Sequence, residues 1–262
     1  MQIFEGKVDN QGVSIHYIES FVDIADEIAD VEVVEEKVVE VIVETVERAP
    51  LLIIPGFTES AEDYIEIIRA FDDRKCVAIS LRGRGKSDAP DSGYTLEDHV
   101  SDIKAVVEQL ELDAFYLLGY SRGVSYMIDY ALGNLPKIKG MIIGDYPGMH
   151  TRLVERWVEM FIKLPPWRGK SALERMPRHA IEAIQRESVE KSFYEALKVV
   201  KVPVLLLKGD QSGSLLSEEA TAAYFEALED VSLSVFEGCA HDLFKPDEGH
   251  FIRVVKAFVD QN

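Results

Sequence analysis

The serine whose surroundings best suit nucleophilic chemistry is Ser121, in the run Gly119-Tyr120-Ser121-Arg122-Gly123. An apolar run at 114–118 precedes this motif, and a helical pattern at 124–132 follows it. A Gly-x-Ser-x-Gly turn between a buried strand and a helix strains its serine to positive φ and lifts the hydroxyl clear of the sheet. Glycine is needed on both sides because a Cβ there would collide with the neighbouring strand or helix. The pattern therefore predicts Ser121 as a nucleophile.

The base that such a serine needs is predicted at His241, in the run Glu237-Gly238-Cys239-Ala240-His241-Asp242 after the last apolar strand pattern. A serine hydroxyl at its ordinary pKa is a weak nucleophile, and histidine can accept its proton because the imidazole pKa lies near neutrality. For His150, at the start of a long helical stretch, two placements are open: the wall of a pocket or solvent. The remaining histidines lack a suitable loop position; they are His16, His99, His179 and His250.

A carboxylate on the far ring nitrogen would fix the histidine tautomer and stabilise the imidazolium that forms during the reaction. Two aspartates follow apolar strand patterns: Asp145 comes directly after Gly144, and Asp210 comes directly after Gly209. Asp242 adjoins the base in sequence, so its side chain should point elsewhere. Both Asp145 and Asp210 are therefore candidates for the acid.

The elements that must position these residues alternate along the chain after residue 50. Short apolar strand patterns fall at 51–54, 76–81, 114–118, 140–143, 202–207 and 231–236, with helical stretches near 61–70, 95–110, 123–133, 217–228 and 247–260. Such alternation predicts an α/β fold with a mostly parallel sheet covered by helices on both faces. In an open parallel sheet the reacting groups gather at the carboxyl ends of the strands, where the candidate residues fall. A hairpin of two short strands, 2–8 and 13–19, is predicted to precede this part.

Two segments depart from the alternation. Residues 146–199 are rich in aromatic and Met side chains, carry Pro165-Pro166 in the middle and predict helices without strands, interpreted as a helical lid. Residues 21–48 carry ten acids against two basic residues, and their pattern fits either a helix or an extended hairpin. A solvated amphipathic insertion is favoured there over a partner-binding arm. The predicted organisation is a core of 1–145 and 200–262, with the lid inserted at 146–199.

Composition limits the classes of partner. The chain has 262 residues, with 47 acidic against 28 basic side chains and a formal net charge of −19, which disfavours nucleic acid and anionic membranes. It contains no apolar run long enough to span a bilayer and no visible secretory signal. The two cysteines, Cys76 and Cys239, match no metal-ligand spacing and fit a reducing, cytoplasmic location. The glycine-rich run at 82–87 predicts a structural turn, because it lacks the flanking strand and helix of a phosphate cradle.

From residue 50 to the C-terminus the chain resembles the α/β-hydrolase fold superfamily, and from residue 1 if 21–48 is an insertion. The motifs that carry the resemblance are Pro55-Gly56-Phe57, Arg82-Gly83-Arg84-Gly85-Lys86-Ser87, Gly119-Tyr120-Ser121-Arg122-Gly123, Gly209-Asp210 and Gly238-Cys239-Ala240-His241. Within the superfamily the chain is most similar to small bacterial carboxylesterases, lactonases and cofactor-free haloperoxidase-like members. Where many relatives carry His-Gly before the oxyanion residue, this chain has Pro55-Gly56.

The resemblance implies a serine hydrolase with a triad of Ser121, His241 and an aspartate. It favours Asp210 over Asp145, because most relatives hold the acid after the penultimate strand. It also implies an oxyanion hole made of the backbone N–H groups of Phe57 and Arg122. The Arg122 side chain could either steer a substrate carboxylate or face the helix surface.

The reaction implied is the cleavage of a small-molecule ester or lactone, without a cofactor or a metal. Other chemistry on the same triad, such as perhydrolysis or C–C bond hydrolysis, stays open, as does a slow-turnover ligand sensor.

Overall fold

The computed structural model describes residues 2–21 and 48–262. Within these ranges eight strands form one sheet in the order β1-β2-β4-β3-β5-β6-β9-β10. Strand β2 is antiparallel to both of its neighbours, and every other neighbouring pair is parallel. The predicted mostly parallel sheet is confirmed. The strands are β1 (Gln2–Asn10), β2 (Val13–Phe21), β3 (Leu51–Ile54), β4 (Cys76–Ser80), β5 (Phe115–Tyr120), β6 (Ile138–Gly144), β9 (Val204–Gly209) and β10 (Val231–Phe236).

The central strands are short apolar runs because helices cover both of their faces. Every residue of β3, β4, β5 and β9 is buried, whereas in β10, at the sheet edge, every residue before Phe236 is partly or fully exposed. The interior of the predicted acidic insertion, residues 22–47, lies outside the described residues.

The larger helices are amphipathic and lie against the sheet. Two of them begin where the sequence predicts: Thr95 caps α2 in a capping box with Asp98, and the Ser217 hydroxyl accepts a hydrogen bond from the N–H of Ala220 at the start of α8. The helices that flank the sheet are α1 (Ile65–Ala70), α2 (Leu96–Gln109), α3 (Gly123–Leu132), α8 (Glu218–Ala227) and α9 (Glu248–Gln261).

Each face of the sheet has its own hydrophobic core. Side chains of α2, α3 and α8 pack on one face, and side chains of α1 and α9 pack on the other. The sheet is therefore held rigidly from both sides, and the loops at the carboxyl ends of its strands are left to form the site. Within the described ranges, no helix combines the length and the apolar character needed to cross a bilayer.

Residues 146–199 lie between β6 and β9 and hold four short helices. The helices are α4 (Trp157–Phe161), α5 (Ala172–Arg175), α6 (Arg178–Glu187) and α7 (Tyr194–Leu197). The prediction of helices without strands was incomplete, because β7 (Met149–His150) and β8 (Lys191–Ser192) pair as a small antiparallel sheet at the base of the segment. A third apolar cluster, centred on α6, packs against Tyr94 and Phe57 of the core.

Candidate active site

Ser121 lies on a sharp turn between β5 and α3. Its φ is 52°, in the left-handed region that L-residues with a Cβ rarely adopt. A Cβ on Gly123 would come within 2.3 Å of the Pro55 carbonyl oxygen, and one on Gly119 within 2.9 Å of the Val124 Cα. Both positions thus require glycine for the reason expected from the sequence, and the strain holds the Ser121 side chain at the edge of the sheet.

The structure brings His241 to the nucleophile. His241 Nε2 lies 2.9 Å from Ser121 Oγ, although 120 residues separate them in the chain. The imidazole ring stacks against Tyr120 at 5.3 Å between centroids, and the Tyr120 hydroxyl donates a hydrogen bond to the His241 carbonyl. These two contacts fix both the ring and the backbone of the loop that follows β10, so the imidazole can accept the Ser121 proton without rearrangement.

The acid beside His241 is Asp145, the alternative candidate, and not Asp210. His241 Nδ1 lies 2.8 Å from Asp145 Oδ2. Asp145 is fully buried at the carboxyl end of β6, directly beside β5 in the sheet. Its carboxylate also accepts hydrogen bonds from the Ser214 hydroxyl and from the backbone N–H of Leu215 at 2.9 Å. This set of donors holds a buried charge in a single orientation.

The structure does not bring Asp210, the candidate favoured by the resemblance, to the His241 ring. Asp210 is exposed, and its carboxylate accepts a hydrogen bond from the backbone N–H of Gly238 at 2.8 Å and another from the Gln211 amide. It stabilises the turn that leads to His241 and makes no hydrogen bond to the imidazole. Asp210 follows β9, which is one strand further from β5 than β6 is.

The two residues predicted for the oxyanion hole lie beside the nucleophile. Phe57 lies in the loop after β3, and Arg122 lies in the turn after β5; these two strands are neighbours in the sheet. Among the described residues, no oxygen accepts a hydrogen bond from the backbone N–H of either Phe57 or Arg122. The preceding N–H, of Gly56, is instead bound by the Glu59 carboxylate at 2.9 Å. Two free donors thus remain beside Ser121 for an anionic oxygen.

The Arg122 side chain and His150 are both buried away from the cavity. Arg122 Nη2 lies 3.0 Å from His150 Nε2, and Arg122 also donates to the Thr151 carbonyl and to the Tyr126 hydroxyl. Neither of the two placements considered for His150 holds, because this imidazole is buried beneath the site. Arg122 is not among the residues that line the cavity, and its guanidinium lies behind the Phe57 ring, which is.

A cavity of about 380 Å³ opens over Ser121 and His241. Its surface is mainly apolar, and much of it comes from the segment between β6 and β9. The lining residues are Gly56, Phe57, Thr58, Glu59, Tyr120, Ser121, Phe161, Leu164, Pro165, Pro166, Trp167, Ala172 and His241. The volume and the apolar lining are typical of sites for small organic molecules.

Glu59 is a buried carboxylate at the cavity wall that sequence reasoning missed. It accepts hydrogen bonds from the Tyr64 hydroxyl at 2.7 Å and from Trp167 Nε1 at 2.8 Å, and Arg168 Nε lies 3.5 Å away. Burial and the neighbouring carboxylate raise the pKa of Tyr64 well above its ordinary value. Because Glu59 also binds the Gly56 N–H, it links the loop after β3 to Trp167 in the segment between β6 and β9. The available sequence signal was an acid three residues after Gly56.

Within residues 2–21 and 48–262, no group of three or more potential ligand side chains could hold a metal ion. The buried ion pair between Arg82 and Asp102 belongs to the structural turn at 82–87, in which Gly83 and Gly85 adopt positive φ.

Comparisons with known proteins agree with this fold. Residues 49–174 match the family model described as the alpha/beta hydrolase fold. An esterase from Exiguobacterium antarcticum superposes with a TM-score of 0.74 at 17% sequence identity, over 97% of this chain and 98% of its own. Est816, an N-acyl homoserine lactone degrading enzyme, gives a TM-score of 0.73 at 16% identity, over 97% of this chain and all of its own.

By sequence, the chain is similar to a proline iminopeptidase from Lactobacillus acidophilus, with 22% identity in an alignment that covers all of both chains. The chain has the α/β-hydrolase fold. Its fold, the family match and these hydrolytic relatives together support a hydrolase, and they leave the substrate open.

Proposed function

We propose that the protein is a serine hydrolase that cleaves carboxylic esters or lactones of small to medium apolar substrates through an acyl-enzyme. The observation that carries the proposal is the continuous hydrogen-bonded line from Ser121 Oγ through the His241 ring to Asp145 Oδ2, with distances of 2.9 and 2.8 Å. A line of this kind, beneath an apolar cavity and beside two free backbone donors, supports acyl transfer.

In the proposed mechanism His241 removes the proton from Ser121 as Oγ attacks the substrate carbonyl carbon. The backbone N–H groups of Phe57 and Arg122 stabilise the resulting oxyanion, and each such donor contributes about 3 kcal/mol to the transition state. His241 then protonates the leaving alcohol oxygen. In the second half of the cycle it deprotonates a water that attacks the acyl carbonyl, so that the acid is released and Ser121 regains its proton.

Ester hydrolysis is favoured over removal of an N-terminal residue. An aminopeptidase needs a free acid to bind the substrate ammonium group, and Glu59 is the carboxylate that lines the cavity. Its oxygens are already bound by Gly56, Tyr64 and Trp167, and the Arg168 guanidinium offsets its charge. The cavity therefore supports recognition of an apolar group better than recognition of a cation.

A substrate panel tests the proposal. We expect p-nitrophenyl esters with acyl chains of two to eight carbons, and lactones of matched length, to be hydrolysed at rates well above that of proline p-nitroanilide. Preference for the prolyl anilide over every ester and lactone would contradict the proposal and would favour an iminopeptidase. Perhydrolase activity is tested in the same panel by adding hydrogen peroxide to the acetate ester.

We further propose that residues 146–199 act as a lid over the cavity. The part of the lid around Trp167, called the roof below, is attached to the core by hydrogen bonds of Trp167 and Arg175. The Trp167 indole lies over His241 at 5.9 Å between ring centroids and donates to Glu59. Arg175 binds both the Trp167 carbonyl and the Asp63 carboxylate, which attaches the same segment to the core. Such a roof would exclude water from the acyl-enzyme pocket.

Replacing Trp167 with phenylalanine should raise KM and lower kcat/KM by about tenfold, because a hydrogen bond to a charged acceptor contributes about 1.5–3 kcal/mol. Steady-state kinetics on the best ester measures this. The matched control is Tyr64→Phe, which removes a donor from the same Glu59 carboxylate beneath the cavity and leaves the roof attached. We expect that control to lower the thermal stability without changing KM; an equal rise in KM for both variants would contradict the role given to the roof.

A further inference from the structure

Two arginine side chains lie buried beneath the oxyanion residues without a carboxylate partner. Arg84 and Arg122 are almost fully buried, and among the described residues no carboxylate oxygen lies within 4 Å of either guanidinium. The nearby buried acid, Asp102, is already bound by Arg82 and by the Asn10 amide. Buried charges are normally paired with an opposite charge, so two buried guanidinium groups without a carboxylate partner need an explanation.

Each guanidinium is bound instead by a neutral imidazole. His99 Nδ1 donates to the Thr95 carbonyl, which leaves Nε2 to accept from Arg84 Nη1 at 2.7 Å. His150 Nδ1 lies 2.9 Å from the Ser125 hydroxyl, and its Nε2 faces Arg122.

Burial and the adjacent guanidinium lower the pKa of His150 to about 3, and the same causes lower the pKa of His99 well below its ordinary value. Both imidazoles therefore accept hydrogen bonds and do not neutralise the charges.

Both guanidinium groups point toward the residue that carries one oxyanion donor. The Arg84 guanidinium carbon lies 5.7 Å from the centroid of the Phe57 ring, and that of Arg122 lies 6.0 Å from it. Arg84 Nε also donates to the Phe57 carbonyl at 2.8 Å, which fixes the peptide that follows the oxyanion N–H. The second oxyanion N–H is that of Arg122 itself. Both charges thus lie immediately behind the place where negative charge would develop.

We propose that the side chains of Arg84 and Arg122 are positioning residues for the oxyanion hole, which they hold in shape and supply with a permanent positive field. His99 and His150 make this arrangement possible because they satisfy the guanidinium hydrogen bonds without contributing negative charge. A fixed positive charge in a low-dielectric interior stabilises an oxyanion that forms only in the transition state. This inference rests on the proposed serine hydrolase function.

The test introduces one negative charge at a fixed position. His150→Glu and His150→Gln have side chains of the same shape and differ in charge, and the ionised Glu would neutralise Arg122. We expect the Glu variant to have a kcat at least tenfold below that of the Gln variant, with KM unchanged, and a thermal stability equal to or above it. If the two arginines and two histidines had only a structural role, the Glu and Gln variants would differ in kcat and in thermal stability in the same direction.

Arg122→Gln provides a second variant if His150→Glu does not fold. It removes the charge and keeps the backbone N–H, so kcat should again fall about tenfold while the thermal stability holds or rises. The rate at which a fluorophosphonate labels Ser121 is measured alongside kcat, because phosphonylation places an oxygen in the same hole whatever the natural substrate is.

Equal kcat values and equal labelling rates in the Glu and Gln variants, with intact labelling of the wild type, would overturn this inference alone. Failure of the wild type to be labelled would overturn the proposed function with it.

Discussion

Replacing Ser121 with alanine should reduce ester turnover by about six orders of magnitude, the loss seen when a triad nucleophile is removed. The loss is this large because without Oγ no acyl-enzyme can form, and His241 has no hydroxyl within reach to deprotonate. Turnover of the best p-nitrophenyl ester, compared with the uncatalysed rate in the same buffer, measures the effect.

The fold of this variant should be intact. Alanine also has a Cβ and meets the same positive φ at position 121, so the variant should unfold within a few degrees of the wild type. Hydrolysis at the original rate by a folded Ser121→Ala protein would remove the nucleophile from the proposal. A loss of activity accompanied by unfolding would be tested again with Ser121→Cys, which keeps a nucleophilic atom in place and should retain acylation by an activated ester.

The second large effect is expected at Asp145. Asp145→Asn should lower kcat by about four orders of magnitude, because an amide facing His241 Nδ1 favours the wrong tautomer and cannot stabilise the imidazolium. Asp210→Asn is the matched control: its amide oxygen can still accept from the Gly238 N–H, so kcat should change by less than threefold.

The two variants are compared by kcat and by thermal unfolding. Asp145→Asn should also lose stability by about 1–3 kcal/mol, since the NH₂ group that faces His241 also faces the backbone N–H of Leu215, which then has no acceptor. A large loss of kcat in Asp210→Asn with little change in Asp145→Asn would reverse the acid assigned by the geometry and restore the choice favoured from the sequence.

The sheet and the sharp turn at Ser121 could be predicted because their causes are local. An apolar run of four to six residues that must be buried on both faces is visible in the sequence, and so is a serine between two obligatory glycines. A Cβ at position 119 would collide with α3, and a Cβ at position 123 would collide with the backbone at the end of β3, which explains both glycines. Each of these features depends on a few neighbouring residues.

The carboxylate that contacts His241 could not be identified from the sequence because the decisive contacts are distant in the chain. Asp145 and Asp210 each follow a glycine at the end of a buried strand, so local pattern does not separate them. What separates them is that β6 neighbours β5 and that residues 214–216 fold back to donate hydrogen bonds to Asp145. No pattern in the sequence indicates that residues 214–216 fold back to Asp145.

The polar network beneath the site was missed for the same reason. Nothing in the sequence around His99 or His150 distinguishes them from ordinary helix and loop histidines. Their partners Arg84 and Arg122 lie 15 and 28 residues away. Glu59 is similar, since its bond to Trp167 spans 108 residues. The pair of two-residue strands at the base of 146–199 is too short to leave an alternation in the sequence.

Active-site labelling shows whether Ser121 is a nucleophile that His241 activates. The intact protein is treated with a fluorophosphonate, digested and analysed by mass spectrometry, with His241→Gln run in parallel. We expect one rapid, stoichiometric adduct on the peptide that contains Ser121, and a labelling rate at least a thousandfold lower in His241→Gln. An adduct on another serine, or equal labelling rates in the two proteins, would contradict it.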